Sequence, residues 1–223
     1  MSKLSRPDGV IFDCDSTLSS IEGIDELAKL KQCGEQVAAL THQAMNGELP
    51  LEAVYEKRLA LIRPSQADIA QIAEQYLATM TPGAKETIDA LHSAGIRVGI
   101  ISGGLIDAIL PLAKSLGIAD TDIYAVYLGF DSHGNYQQVL PSPLTTANGK
   151  QAVTASWKRV NHLNTVHLVG DGMSDIAAKG ANAADAVIGY GGVICRPAVQ
   201  QAADYYQKDA DLRKLLPLWG LSA

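Results

Sequence analysis

Cysteine is scarce. The chain holds three, Cys14, Cys33 and Cys195, an odd number, far apart and with no Cys-x-x-Cys pair. That excludes a disulfide framework or a thiolate zinc site as the organising device, and it favours a reducing compartment, the cytoplasm. Long apolar runs are missing too. Nothing approaches the roughly 20 residues of a membrane span, and no signal-peptide pattern opens the chain. No domain is expected ahead of the first strand, because an apolar run already starts at Val10. Basic charge is in short supply: 18 Lys and Arg face 24 Asp and Glu, a net of −6. Nucleic acid and anionic membranes are therefore poor partners, and any phosphate handled here must meet locally concentrated positive charge. Metal-ligand spacing is absent among the histidines His42, His92, His133, His162 and His167, which read as structural or surface residues. There is no internal repeat and no low-complexity segment.

What is present is a run, Val10-Ile11-Phe12, that leads straight into Asp13-Cys14-Asp15. A short continuous apolar run suits a strand buried on both faces of a parallel sheet. In open α/β sheets ligands bind just beyond the carboxyl ends of such strands. Two acids so close raise each other's pKa unless a cation or a donor relieves them. Taken alone, the same residues fit a strand ending in an Asx-turn, with Ser16, Thr17, Ser19 or Ser20 capping the next helix. Cys14 reads as a small buried residue rather than a thiol nucleophile, since no histidine is near it in sequence.

From Ile21 to Ala78 the apolar residues follow helical spacing. Ile21, Ile24, Leu27 and Ala28 form one stripe, and Val37, Leu40 and Ala44 a second. Leu51, Val54, Tyr55, Leu59 and Ile62 form a third. Ile69, Ile72, Ala73, Tyr76 and Leu77 form a fourth, with Ser65 as its N-cap and Asp68 three residues on. Four amphipathic helices in this span read as a small bundle. From Thr81 strands and helices alternate. A helix opens at Pro82-Gly83, and the strand Ile96–Ile101 ends in Ser102-Gly103-Gly104, which is expected to open the next helix. Ile123–Phe130 and Tyr136–Val139 read as a hairpin. A helix covers about 150–161, a strand Val166–Val169 ends in Gly170-Asp171-Gly172-Met173-Ser174-Asp175, and another strand covers Ala186–Ile188. One or two helices through Leu215 and Leu216 are expected in the tail. The alternation predicts an α/β fold: a doubly wound, mostly parallel sheet with an inserted four-helix-bundle cap. The core comprises residues 1–18 and 81–223, and the helical cap residues 19–80.

Three strand ends then converge on one crevice. Carboxylates gathered there suit a hard cation such as Mg²⁺. Ser102 and the amides of Gly103 and Gly104 suit an anion, and Lys150 of Asn148-Gly149-Lys150 offers it a point charge. Each part has a bland reading when taken singly, as a turn, an N-cap or a solvated lysine.

Asp13-Cys14-Asp15-Ser16-Thr17, Ser102, Lys150 and Gly170-Asp171-Gly172-x-x-Asp175 resemble, in order and approximate spacing, the four signature motifs of the haloacid dehalogenase superfamily in its phosphatase branch. The closer resemblance is to the phosphoserine phosphatase family. It rests on Asp13 to Leu18, Glu22-Gly-Ile-Asp-Glu-Leu-Ala28, Ala44-Met45-x-Gly47 and Lys57-Arg58-Leu59. The resemblance implies a Rossmann-like core and a Mg²⁺-dependent phosphomonoesterase that hydrolyses O-phospho-L-serine in serine biosynthesis. Asp13 would be the nucleophile that forms an aspartyl-phosphate, and Asp15 the general acid and base. Ser102, Gly103 and Lys150 would hold phosphate, while Glu22, Arg58 and Met45 would meet the rest of the substrate. The metal would take Asp13, the backbone carbonyl of Asp15, and Asp171, with Asp175 close behind. Leu51 and Ser174 stand where the family often has Phe, and Asn or Thr. Ser19-x-x-Glu22 also reads as a capping box, and Arg58 with Glu52 and Glu56 as a solvated helix face. Rival functions are another small phosphate ester as substrate, phosphoryl transfer to an alcohol such as homoserine, and a non-catalytic phosphate-binding module. The expected partner is a small phosphate ester, with neither nucleic acid nor membrane, in a monomer or homodimer.

Overall fold

Strand β1 (Gly9–Phe12) is buried at every position, as a continuous apolar run demands when both faces are covered. It lies inside a six-stranded sheet of order β3-β2-β1-β6-β7-β8. The other strands are β2 (Arg97–Leu105), β3 (Ile123–Val126), β6 (Val166–Gly170), β7 (Ala186–Tyr190) and β8 (Tyr205–Gln207). Every pairing in it is parallel. The structure, a computed structural model, describes residues 4–45 and 51–222, and the side chains of these except 41–45 and 51.

The chain winds outward from β1 in two directions, toward β3 and toward β8, so β1 and β6 flank the point where the strand order reverses. Right-handed crossovers then send the two sets of connecting helices to opposite faces. The first set is α5 (Ala84–Ser93) and α6 (Ile106–Leu116); the second is α7 (Gly149–Val160), α8 (Met173–Ile176) and α9 (Pro197–Ala202). Phe12 is in register with Ile100 on one side and Val169 on the other. Asp13 and Asp171 therefore leave the sheet at nearly the level that Ser102 occupies on β2.

Between β1 and α5 run α1 (Gly23–Leu30), α2 (Gly34–Met45), α3 (Leu51–Ile62) and α4 (Gln66–Ala78). Helix α4 packs along α6 and against α1, and α2 packs against α3. Leu27, Ile72 and Tyr76 join Ile109 and Leu112 in one continuous apolar cluster. Ser65 caps α4 as the sequence predicts, with its hydroxyl on the Asp68 amide and the Asp68 carboxylate back on the Ser65 amide.

Four elements differ from expectation. Strand β2 continues through Ser102-Gly103-Gly104 to Leu105, with a register shift against β3 after Ile101, and the helix opens only at Ile106. The segment expected as one strand, Ile123–Phe130, is divided at Tyr127. Its first half joins the main sheet as β3. Its second half, β4 (Leu128–Phe130), pairs antiparallel with β5 (Tyr136–Val139). Ser19 does not cap α1; it bridges to Met80, and its hydroxyl shares a hydrogen bond with Thr79. The tail adds the strand β8 and ends in a tight turn of helix, Leu212–Trp219.

Candidate active site

The last ladder bond of β1 comes from the Asp13 amide, which donates to the Val169 carbonyl at 2.9 Å. The backbone then makes one wide turn over Cys14–Leu18, closed by the Ser19 amide on the Cys14 carbonyl at 3.0 Å. Ser16 sits in the left-handed region, φ 50°. The turn throws the two carboxylates apart. Asp13 Oδ1 accepts from the Cys14 amide at 2.7 Å, and Oδ2 pairs with Lys150 Nζ at 2.5 Å. Asp15 Oδ1 accepts instead from the Tyr76 hydroxyl at 2.5 Å and the Gly23 amide at 2.8 Å.

Lys150, in the first turn of α7, is buried between Asp13 and Asp175, whose Oδ1 lies 2.7 Å from Nζ. Burial alone would lower its pKa, but the two carboxylates outweigh it and hold the ammonium charged. Burial pushes Asp175 up to about 7 even against that lysine. Asp171 is pushed to about 6 by burial and by the charges of Asp13 and Glu22, and Arg196 pulls the other way from 3.0 Å. Asp15 is likewise raised to about 6, by burial first and then by Asp13. Glu22, which accepts a hydrogen bond from Ser16 and faces Arg196 at 3.6 Å, is raised to about 7 by burial and by Asp15.

One cavity of about 470 Å³ gathers Asp13, Asp15, Glu22, Arg58, Ser102, Gly103, Lys150 and Asp171. Asp175 does not line it; it is fully buried and pairs with Lys150. Met45 ends α2, and its side chain lies outside the described residues. Arg58 stacks over the Tyr55 ring at 5.7 Å, and its buried Nε has no hydrogen-bond partner among the described residues. The Tyr55 hydroxyl donates to the Gly103 carbonyl at 2.7 Å and so ties α3 to the end of β2. Ser102 is buried, its Oγ accepting from the Gly104 amide. Because β2 continues past them, Gly103 and Gly104 precede the first turn of α6 rather than open it.

Tyr55, Tyr76, Thr145, Thr146 and Arg196 also bear on the site and were not expected there. The two tyrosines sit on apolar helical stripes, so their spacing reports burial and hides their hydroxyls. Arg196 follows β7, the fourth strand to end beside this crevice. That position was its only sequence signal.

Oxygens of Asp13, Asp171 and Asp175 lie within 4.8 Å of one another and could hold a metal ion. The donor set is all carboxylate, which suits a hard divalent cation. Burial first, and then the neighbouring carboxylates, raise Asp171 and Asp175, and Lys150 and Arg196 counter this only in part. The residues therefore fit such a cation. The Asp15 carboxyl is engaged elsewhere, by Tyr76 and Gly23.

The family model of the haloacid dehalogenase-like hydrolases matches residues 7–183. Phosphoserine phosphatase from Bos taurus is 36% identical over 203 residues, which cover 91% of this chain and 89% of the bovine one. A substrate-bound phosphoserine phosphatase superposes with a TM-score of 0.76 at 28% identity, over 97% of this chain and 99% of that one. DsGPDH of Dunaliella salina superposes with a TM-score of 0.80 at 31% identity. It aligns with 95% of this chain, which spans only 36% of that longer one.

Proposed function

The chain belongs to the haloacid dehalogenase-like hydrolases, and from that premise we infer that it is a phosphatase that hydrolyses O-phospho-L-serine to L-serine and phosphate. The observation that carries the reading is two carboxylates in one cavity with separate partners: Asp13 on Lys150, and Asp15 on Tyr76 and Gly23. Environments that separate two acids assign two roles.

Asp13, ion-paired and at the cavity floor, is the nucleophile. Its carboxylate oxygen attacks phosphorus as the bond from phosphorus to the serine oxygen breaks, leaving an aspartyl-phosphate. Asp15, raised to about 6, carries a proton for the departing alkoxide and takes one back from the water that hydrolyses the intermediate. Lys150, Ser102 and the Gly103 amide stand where phosphoryl oxygens gain charge. Glu22 meets the substrate ammonium, a charge that would draw its raised pKa back down. Arg58, with its unpartnered Nε, meets the carboxylate through a planar fork. Met45 completes the substrate side. Asp13, Asp171 and the Asp15 carbonyl would hold Mg²⁺, with Asp175 close behind, and the ion would supply charge that shields the phosphate from the attacking carboxylate.

Residues 19–80 act as a cap over a core of 1–18 and 81–223, with Tyr55 and Tyr76 as its contacts on the chemistry. Among the described residues no helix is long and apolar enough to cross a membrane. The enzyme works in the cytoplasm, as a monomer or homodimer, in serine biosynthesis.

The test is phosphate release from a panel of small phosphate esters after chelation, with and without added Mg²⁺. Phosphoserine should give the highest kcat/KM, and only with the metal. Equal kcat/KM across the panel would defeat the substrate assignment. Phosphohomoserine formed when homoserine is added would show transfer rather than hydrolysis.

A further inference from the structure

The Asp15 carboxyl is held asymmetrically. Its Oδ1 accepts two hydrogen bonds, from the Tyr76 hydroxyl at 2.5 Å and the Gly23 amide at 2.8 Å. Its Oδ2 takes none from any described residue. It lies against Gly104, 2.7 Å from the place a Cβ would occupy there. The clamp is built into the backbone on both sides. A Cβ on Gly23 would overlap the Tyr76 hydroxyl, so only glycine at 23 lets that hydroxyl reach the carboxyl. Tyr76 is 1% exposed, and its ring is fixed in the apolar cluster that joins α4 to α1 and α6. Among the described residues its hydroxyl has one hydrogen-bond partner, Asp15.

We propose that Tyr76 is a positioning residue: with the Gly23 amide it occupies Asp15 Oδ1, so that the proton exchanged with leaving group and water travels on Oδ2 alone. This rests on the acid–base role proposed above for Asp15. Two donors take up both lone pairs of Oδ1, so a protonated Asp15 carries its hydrogen on Oδ2. In the first half-reaction the Oδ2–H bond breaks and the proton goes to the serine oxygen, which keeps the electron pair of the broken P–O bond. In the second, a water O–H bond breaks, its proton returns to Oδ2, its oxygen bonds phosphorus, and Asp13 leaves as carboxylate. Without the Tyr76 hydroxyl only the Gly23 amide holds Oδ1, and the proton can settle on either oxygen.

Tyr76→Phe removes one oxygen and keeps the ring, and a thermal melt shows that the variant is folded. Two single-turnover rates separate positioning from a merely structural role. One is serine release from phosphoserine, whose alkoxide needs a proton. The other is the burst of p-nitrophenolate from p-nitrophenyl phosphate, whose leaving group needs none. Serine release should fall on the order of ten- to a hundredfold, the scale of a displaced general acid, and the burst less than about threefold. Gly23→Ala, which displaces the same hydroxyl, should reproduce that split and serves as the second variant. Losses on the two esters that agree within about threefold would overturn the proposal. A wild-type protein that releases neither product would defeat the phosphatase reading itself, a result distinct from that one.

Discussion

Arg58 reaches the cavity with a buried Nε that has no hydrogen-bond partner among the described residues, and with its guanidinium over the Tyr55 ring. A buried donor left unpaired is costly, so the site is poised for an acceptor. Arg58→Ala should lower kcat/KM for phosphoserine about ten- to a hundredfold, from the ~1.5–3 kcal/mol of a charged hydrogen bond. An ester lacking the carboxylate, such as phosphoethanolamine, should lose much less; equal losses on the two would remove Arg58 from the carboxylate role. At this scale the sequence was most informative where a charge interrupts an apolar run. Asp13, Asp15 and Asp171 follow strands, and a carboxylate there has little reason to exist unless it leaves the core. Tyr76 was illegible because its helical spacing counts it as apolar, and nothing along the chain shows that its hydroxyl ends on Asp15. Arg196 was illegible because its two acidic neighbours, Asp171 and Glu22, meet only in the folded molecule.

Helix α4 carries Tyr76, so what fixes α4 matters to the chemistry. Its capping box begins at Ser65, and the next amide, Gln66, donates to the Gly134 carbonyl of the β4–β5 hairpin at 2.9 Å. Ser65→Ala should cost about 1 kcal/mol, read as a melting temperature lower by about 2–4 °C. An unchanged melting temperature would show that tertiary packing alone holds the helix start. At the other end of the chain, the Trp219 indole donates to His167 Nδ1 on β6 at 3.0 Å. Burial lowers the His167 pKa, with Asp185 and Asp204 acting in the opposite direction. Unfolded histidine titrates near 6.5, so just below that pH the unfolded chain binds the extra proton and the native state does not. The stability of the wild type relative to His167→Gln should therefore be constant above about pH 7 and fall as pH drops through about 6.5. A difference that stays flat across that range would contradict it. Long amphipathic helices and apolar strands were legible as elements, because burial imposes their period. The boundary at Tyr127 was not, since the apolar pattern runs on while the pairing partner changes from β2 to β5. Nor was the continuation of β2 through two glycines, residues that suit a strand bulge and a helix start alike.

The whole molecule is acidic, with a net charge of −6, yet Arg58, Lys150 and Arg196 all border one cavity at the point where the strand order reverses. Cations concentrated in one place on an acidic protein suit a small phosphate ester. The architecture was legible from the alternation of strands and helices. The contacts of Tyr55 on α3 with Gly103 and of Tyr76 on α4 with Asp15 were not, because they depend on how those helices pack in the folded molecule. The central claim is a covalent bond between phosphorus and Asp13. It is tested by mixing the Mg²⁺-loaded enzyme with phosphoserine, quenching in acid within one turnover, and reducing with borohydride, which converts a phosphorylated aspartate to homoserine. Peptide mass spectrometry should then find homoserine at position 13 in the wild type and none in Asp13→Asn. Steady phosphate release with position 13 unmodified, or homoserine at another position, would contradict it.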